Sequence, residues 1–258
     1  MGETQRPRID EWIEQAERIE VPTKAVPRRT YDERLVAFID ILGMTDLVQD
    51  KTHDAEEIFA IMAGIQKFVG IECDELVANQ KLDYIQIGDG FVIVTELGLI
   101  NRLCKILSTV QWHALIYSKM LIRGALTAGR VSVSPDDRLF IGPAIIDAYK
   151  FERGNAIYPR IIFLNEIKDY VSEKSIKFKY IVEDQDKIKY LDFIKYSLDE
   201  EKLSEKTLDQ LLTTRGIKSM LKTKYEMFML DNKSDKKKIA QKYGWLISKF
   251  AYHGIKVI

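Results

Sequence analysis

Two runs of β-branched and aromatic residues, each interrupted by a single aspartate, restrict this chain more than any other feature. The first reads Leu35-Val36-Ala37-Phe38-Ile39-Asp40-Ile41-Leu42-Gly43, and the second Tyr84-Ile85-Gln86-Ile87-Gly88-Asp89-Gly90-Phe91-Val92-Ile93-Val94. Both have the length and near-continuous apolar character of strands buried on two faces, so they belong in the middle of a sheet. A carboxylate within such a strand loses hydration unless it is paired or binds a cation. Gly43 and Gly88-Asp89-Gly90 add tight turns where the backbone can approach a ligand closely. Two strand-borne carboxylates converging on one point indicate a hard divalent ion, Mg²⁺ or Mn²⁺. The usual client of such an ion is a nucleoside triphosphate.

The segments between and beyond these runs alternate in period. Residues 54–78 carry Ile58, Ile61, Met62, Ile65, Phe68 and Val69 at helical spacing. The turn at Gly88-Asp89-Gly90 predicts a hairpin with arms Leu82–Ile87 and Phe91–Thr95. A second helix is expected over 98–118, then strands over Ile122–Ala128 and Val131–Val133 around Gly129. Pro143, just inside the next helix, marks its start, and that helix runs to Arg153. A strand over Ile161–Leu164, a short helix over Asn165–Val171 and a late hairpin of Lys177–Glu183 with Lys189–Ile194 follow. Residues 204–229 and 235–253 are Lys-rich and helical, and residues 8–20 read as a helix cut off by Pro22 and Pro27. Three parts are expected: an N-terminal helix and linker (1–30), an α+β domain (31–200) and a C-terminal helical appendage (201–258).

Composition excludes several function classes. The chain has 258 residues with a formal net charge of zero, so no global field draws it to nucleic acid or an anionic membrane. No run approaches the roughly 18 apolar residues of a membrane span, and the start of the chain carries no apolar signal core. A cytoplasmic location is expected. Cys73 and Cys104 stand far apart, and His53, His113 and His253 share no metal-ligand spacing. No Gly-x-x-x-x-Gly-Lys-Ser/Thr loop is present, so any phosphates must be held by metal and turn amides.

Four motifs in order resemble the catalytic domain of the class III nucleotidyl cyclases, over about residues 33–195. Phe38-Ile39-Asp40-Ile41-Leu42-Gly43-Met44-Thr45 looks like that family's first metal motif, and Ile87-Gly88-Asp89-Gly90 like its second. Arg123-Gly124-Ala125-Leu126-Thr127-Ala128-Gly129 is similar to its Arg-x-Gly-Ile-x-x-Gly strand. Ile141-Gly142-Pro143-Ala144-Ile145-Ile146-Asp147-Ala148-Tyr149-Lys150-Phe151-Glu152 resembles the helix that normally reads Gly-x-x-Val-Asn-x-Ala-x-Arg-x-Glu. The departures fall at the substrate: Ile146 stands for the Asn and Lys150 for the Arg. Ile85 and Leu139 occupy the places of the purine-reading pair. With Ala156-Ile157-Tyr158-Pro159-Arg160-Ile161 and a helical C-terminus, the pattern looks like the pyrimidine cyclases of the bacterial Pycsar antiphage systems, which make cyclic UMP or cyclic CMP as an infection signal.

The resemblance implies an α+β, ferredoxin-like core, a mixed or antiparallel sheet with helices on one face, plus C-terminal helices. It implies two Mn²⁺ or Mg²⁺ ions per site, held by Asp40, Asp89 and the Ile41 carbonyl. Gly43, Met44 and Thr45 would hold phosphates, while Tyr84, Gln86 and Tyr149 are candidates to read a base. Lys150 or Arg123 would balance transition-state charge, in a homodimer whose sites lie at the interface. Plainer readings stand beside these. Lys150 also fits a solvated helix face, Arg123 a strand cap or a partner for Asp147, and the tyrosines packing. The alternative function is a catalytically degenerate cyclase-like domain that senses nucleotide or serves dimerisation.

Overall fold

The site's position follows from strand register, so the sheet comes first. A computed structural model describes residues 30–49, 54–74, 82–134, 138–231 and 234–258. The expected helix over residues 8–20 lies outside them. Among the described residues, eight strands form one sheet: β1 (Asp32–Leu42), β2 (Asp83–Ile87), β3 (Gly90–Thr95), β4 (Leu121–Ser134), β5 (Leu139–Ile141), β6 (Ile161–Phe163), β7 (Ile181–Glu183) and β8 (Lys189–Leu191). Their order is β2-β3-β1-β4-β6-β8-β7, with β5 paired to the far end of β4. All pairs are antiparallel except β4 with β6. The sheet is therefore mixed, as expected for an α+β core.

The second Asp-bearing run forms β3 and the edge strand β2, so it does not take the central place expected for it. The first, β1, lies beside the central strand β4 and is the middle of the site. Leu35, Ala37, Ile39 and Ile41 point to one face, where they join Phe91, Ile93 and the helices α2 (Ala55–Asp74) and α3 (Ile100–Ser118). A six-residue helix, α1 (Met44–Gln49), leads out of β1 after Gly43, which has φ of +87°. Val36 and Phe38 point to the opposite face, where α4 (Pro143–Asn155) covers them through Ala144 and Ala148. The alternation puts Asp40 on this second face, beyond the two long helices. Gly88, with φ of +63°, begins the two-residue turn that leaves Asp89 at the tip of the β2–β3 hairpin.

Several expected elements differ from what is observed. The late hairpin is shorter than Lys177–Glu183 with Lys189–Ile194, since β7 and β8 have three residues each and Phe193 and Ile194 open a helix. β5 is a strand beyond those expected. Val131–Val133 is no separate strand, because β4 continues unbroken past Gly129. The helix expected over 204–229 is two helices, α7 (Glu205–Thr214) and α8 (Ile217–Leu230), divided by Gly216 in the left-handed conformation at φ +70°.

The C-terminal helices pack as part of the same compact unit, residues 31–258. With α5 (Ile167–Tyr170) and α6 (Phe193–Glu200) preceding them, α7, α8 and α9 (Ser234–Tyr252) bury Leu208, Leu212, Leu221, Leu246 and Phe250 against Trp112, Leu115 and Ile116 of α3. A polar clamp fixes α9 to the start of β6 and the β7–β8 turn. Arg160, wholly buried, lies 2.6 Å from Asp184 and also pairs with Asp186. Trp245 Nε1 donates to Asp184 Oδ2 at 2.7 Å, and Lys249 Nζ reaches Asp184 Oδ1 at 2.8 Å. The Arg160 guanidinium sits against the rings of Tyr158, Tyr190 and Trp245.

Candidate active site

Asp40 and Asp89 meet at the junction of two open clefts. In register, Asp40 stands beside Gly90 of β3 on one side and Arg123 of β4 on the other. The two carboxylates are close enough to repel: Asp89 adds to the burial that raises the Asp40 pKa. Asp40, Thr45, Asp89 and Arg123 line both clefts. The first, of about 560 Å³, is walled by Phe38, Val92, Ile145, Ile146 and Tyr149. The second, of about 490 Å³, runs along Ile41–Leu47 and is closed by the C-terminal helices through Lys224, Phe228, Lys242 and Tyr243. One half is apolar and aromatic, the other cationic.

Arg123 organises the junction. Its Nε and Nη2 both donate to Asp40 Oδ2, at 3.1 and 2.9 Å. The same Nε lies 2.6 Å from Glu152 Oε1 on α4. Its single proton is directed at Asp40, however, and Glu152 Oε1 has no hydrogen-bond donor. One guanidinium thus serves two carboxylates. Glu152 is only 1% exposed, and burial pushes its carboxyl up to about 7 against the pull of Arg123, with Asp40 adding repulsion. Asp40 is also raised by burial, but the Arg123 hydrogen bonds and charge oppose it. The Asp147 partnership open to Arg123 at sequence level is replaced by this pairing, because Asp40 lies directly across the ladder.

The remaining candidates divide by strand parity. Ile41, Gly43, Met44 and Thr45 line the cationic cleft, and Tyr149 lines the apolar one, its ring edge-on to Phe38 at 5.3 Å. Tyr84 and Gln86 point the other way. Tyr84 packs against the core beneath α2, where a Cβ on Gly70 would lie 3.0 Å from its hydroxyl. Gln86 donates to the Gly88 carbonyl at 3.0 Å and reaches Asp89 only along an apolar pocket on that opposite side. Ile85, between them, faces Phe38 and Val92. Lys150 is exposed and lines neither cleft of its own chain. Arg153, one turn on from Tyr149, does line the apolar cleft and donates to the Tyr149 hydroxyl at 2.8 Å.

Sequence reading passed over Glu152, Arg153, Lys224 and Lys242. Glu152 stands in the quoted helix motif, so a signal existed for it. The lysines sit in a Lys-rich helical region whose periodicity says nothing of a site more than a hundred residues away. Lys242 is half-buried and makes no hydrogen bond or ion pair among the described residues. Burial lowers its pKa, Arg123 lowers it further, and Asp40, Asp46 and Glu152 oppose that.

Whether a divalent ion fits can be judged from the donors. Among the described residues no three His, Cys, Asp or Glu side chains converge. Asp40 and Asp89 are therefore two carboxylates without a third, and Asp40 Oδ1 remains outside the Arg123 hydrogen bonds. Mg²⁺ is commonly held by one or two carboxylates, with water and phosphate completing its shell. The donor set fits such an ion.

The fold is similar to several solved structures at low identity. A bacterial light-regulated adenylyl cyclase matches at 13% identity over 65% of this chain and 53% of that one, with a TM-score of 0.48. The monomeric guanylyl cyclase domain of a RhoGC fusion protein from the aquatic fungus Blastocladiella emersonii matches at 18% over 62% and 94%, with a TM-score of 0.47. A class III adenylyl cyclase-like ATP-binding protein from Pseudomonas aeruginosa matches at 12% over 73% and 48%, also at 0.47. This chain thus spans about half the length of the first and the third. No protein-family model matches the sequence, and no curated protein matches it. No helix among the described residues is long and apolar enough to cross a membrane.

Proposed function

We propose that this chain is a metal-dependent nucleotidyl cyclase that converts a pyrimidine nucleoside triphosphate, UTP first and CTP second, to the 3′,5′-cyclic monophosphate and diphosphate. The observation that carries this reading is the meeting of Asp40 and Asp89 between an apolar, aromatic half-cleft and a cationic one. A base suits the first half and a polyphosphate the second, with the reacting phosphorus between them. Asp40, Asp89 and the Ile41 carbonyl would hold Mn²⁺ or Mg²⁺, which lowers the pKa of a bound hydroxyl and offsets phosphate charge.

The reaction joins the ribose 3′-oxygen to the α-phosphorus and breaks the bond from that phosphorus to the bridging oxygen. Diphosphate leaves with the electron pair, and the 3′-hydroxyl proton passes to water. Negative charge grows on the α-phosphoryl oxygens, and Arg123 is the cation at the junction. Glu152 lies 2.6 Å from its Nε, so a second carboxylate stands beside Arg123 when Asp40 turns to another partner. Lys150 would serve from a second copy of the chain. Ile87, Ile146 and Tyr149 line the apolar cleft yet are exposed by 54%, 53% and 40%, and Leu139 and Ile141 on β5 are exposed too. A subunit contact over such residues accords with a homodimer and composite sites.

The pyrimidine preference rests on Ile85 and Leu139, which stand where purine enzymes carry a base-reading polar pair; Ile85 packs in the cluster of Phe38 and Val92, two walls of the apolar half-cleft. An apolar side chain leaves the polar edge of a purine unsatisfied, and sites built on hydrogen bonds discriminate far more sharply than sites that only pack. The product would act as a messenger in antiphage defence. A second reading has its own observation: Arg123 already neutralises Asp40, which suits a domain that binds nucleotide without turnover. Incubation with all four nucleoside triphosphates at equal concentration and Mn²⁺, followed by chromatography, separates these. Cyclic UMP or CMP is expected. Cyclic AMP or GMP as main product overturns the pyrimidine preference, and binding with no cyclic product overturns the enzyme.

A further inference from the structure

The charges of the chain sum to zero, yet they are unevenly placed. Residues 201–258 hold 13 Lys and Arg against six Asp and Glu, a surplus of seven positive charges that the rest of the chain balances. Much of that surplus lies on the hairpin of α8 and α9, where six lysines from 222 to 238 outnumber Glu226, Asp231 and Asp235. No described residue from 222 to 239 is buried, whereas Leu221 and Ala240 at the hairpin's base are fully so. The outer half of this hairpin therefore adds nothing to the core.

Its tip is nevertheless apolar. Leu230 is 83% exposed, and Met227 and Met229 are about half exposed. Met is unbranched and flexible, and it adapts to irregular surfaces. Lysines collar these side chains. Lys236 sits over the ring of Phe228 at 5.4 Å, and Lys237 shares a shallow groove with Met229. Lys236, Lys237 and Lys238 are consecutive, so they fan around the start of α9. Lys222 stands exposed about two turns back along α8.

Tip and collar together select a partner. A nucleic-acid surface uses arginine at base edges or aromatic rings for stacking, and the exposed tip offers neither. Protein interfaces favour aromatic residues and arginine and are poor in lysine. An anionic bilayer takes what is present here: apolar side chains enter the headgroup boundary, and lysines around them meet the lipid phosphates. A zero net charge does not oppose this, because attraction to a surface depends on the charges within a Debye length of it.

We propose that the tip of the α8–α9 hairpin docks on an anionic lipid surface. Met227, Met229 and Leu230 enter the headgroup layer, and Lys222, Lys236, Lys237 and Lys238 hold the phosphates. The inference stands apart from the cyclase reading, since these residues line neither of the clefts at Asp40.

Flotation of the full chain with lipid vesicles tests it. Vesicles of phosphatidylcholine and phosphatidylglycerol in equal parts should carry the protein, phosphatidylcholine alone should not, and high salt should release it. Lys236→Gln, Lys237→Gln and Lys238→Gln combined should weaken binding roughly tenfold or more, each lysine at such a surface contributing about fivefold. Met227→Ser with Leu230→Ser should weaken it roughly tenfold through lost apolar burial. Lys105→Gln, Lys168→Gln and Lys174→Gln combined remove as much charge at exposed positions elsewhere and should change binding by about twofold at most. Thermal melts confirm folding; if the hairpin lysine variant does not fold, the Met227→Ser, Leu230→Ser protein decides. No binding to the mixed vesicles, equal binding to neutral ones, or equal loss with the distant lysine variant overturns the proposal. Full binding by the Met227→Ser, Leu230→Ser protein also overturns it, since the apolar tip would then take no part. Tighter binding to a DNA or RNA oligonucleotide than to vesicles would make the hairpin a nucleic-acid surface instead.

Discussion

Replacing Glu152 by Gln should stabilise the protein at alkaline pH and do little at pH 5. Glu152 is 1% exposed and shares the Arg123 guanidinium with Asp40, which takes its hydrogen bonds. Its folded pKa rises from 4.5 to about 7, chiefly through burial. Between those values the folded state keeps a proton that the unfolded chain has released, so stability falls as pH rises through that window. At 1.36 kcal/mol per unit, the loss by pH 8 is on the order of 3 kcal/mol. The amide introduced by Glu152→Gln has no proton to lose, keeps the shape of the protonated acid and escapes the penalty. Urea unfolding followed by tryptophan fluorescence at pH 5 and pH 8 measures it, with other titrating groups cancelling in the difference between the proteins. The gap should be small at pH 5 and open in favour of the Gln variant by pH 8. A gap that ignores pH, or a Gln variant less stable at pH 8, would mean that Glu152 is ionised and held by Arg123.

Asp40→Ala and Asp89→Ala should each abolish cyclic product in the chromatographic assay with Mn²⁺ present. Their effects on folding should differ, because Asp40 carries the Arg123 pair at 19% exposure and its loss should cost about 1–3 kcal/mol, whereas Asp89→Ala relieves repulsion and should be near neutral. An equal mixture of Asp40→Ala and Lys150→Ala proteins should regain roughly a quarter of full activity, since half the dimers are mixed and each has one intact site of two; subunit exchange without recovery would remove Lys150 from the site. Asp184→Asn should cost about 1–3 kcal/mol by removing one of the two carboxylates on the buried Arg160 and the charge that holds Lys249, and should loosen α9, seen as faster amide exchange across Trp245–Phe250; unchanged exchange would refute the clamp.

The strands and the position of the aspartates were legible because both signals are local. A β-branched run of strand length reads as a strand wherever it lies, and the Gly-Asp-Gly turn sets its own hairpin; alternation then puts Asp40 beside Phe38 and opposite Leu35 and Ile39. The same alternation, followed through β2, separates Ile85 from Tyr84 and Gln86, which turn away from Asp40 toward α2. That separation needed the paired strand to decide which parity faces the site. The division at Gly216 was written in one residue, yet a Lys-rich amphipathic pattern on both sides reads as one helix. Only the tertiary structure decided the electrostatics. Arg123 meets Asp40 because antiparallel register sets them side by side, 83 positions apart in the chain. Glu152 lost its solvent because α4 crosses that face, and Lys242 arrives from a helix clamped to the far edge of the sheet. Periodicity reports which side of an element is apolar. Which charges meet, and how much water is left between them, depends on contacts distant in sequence that no local pattern contains.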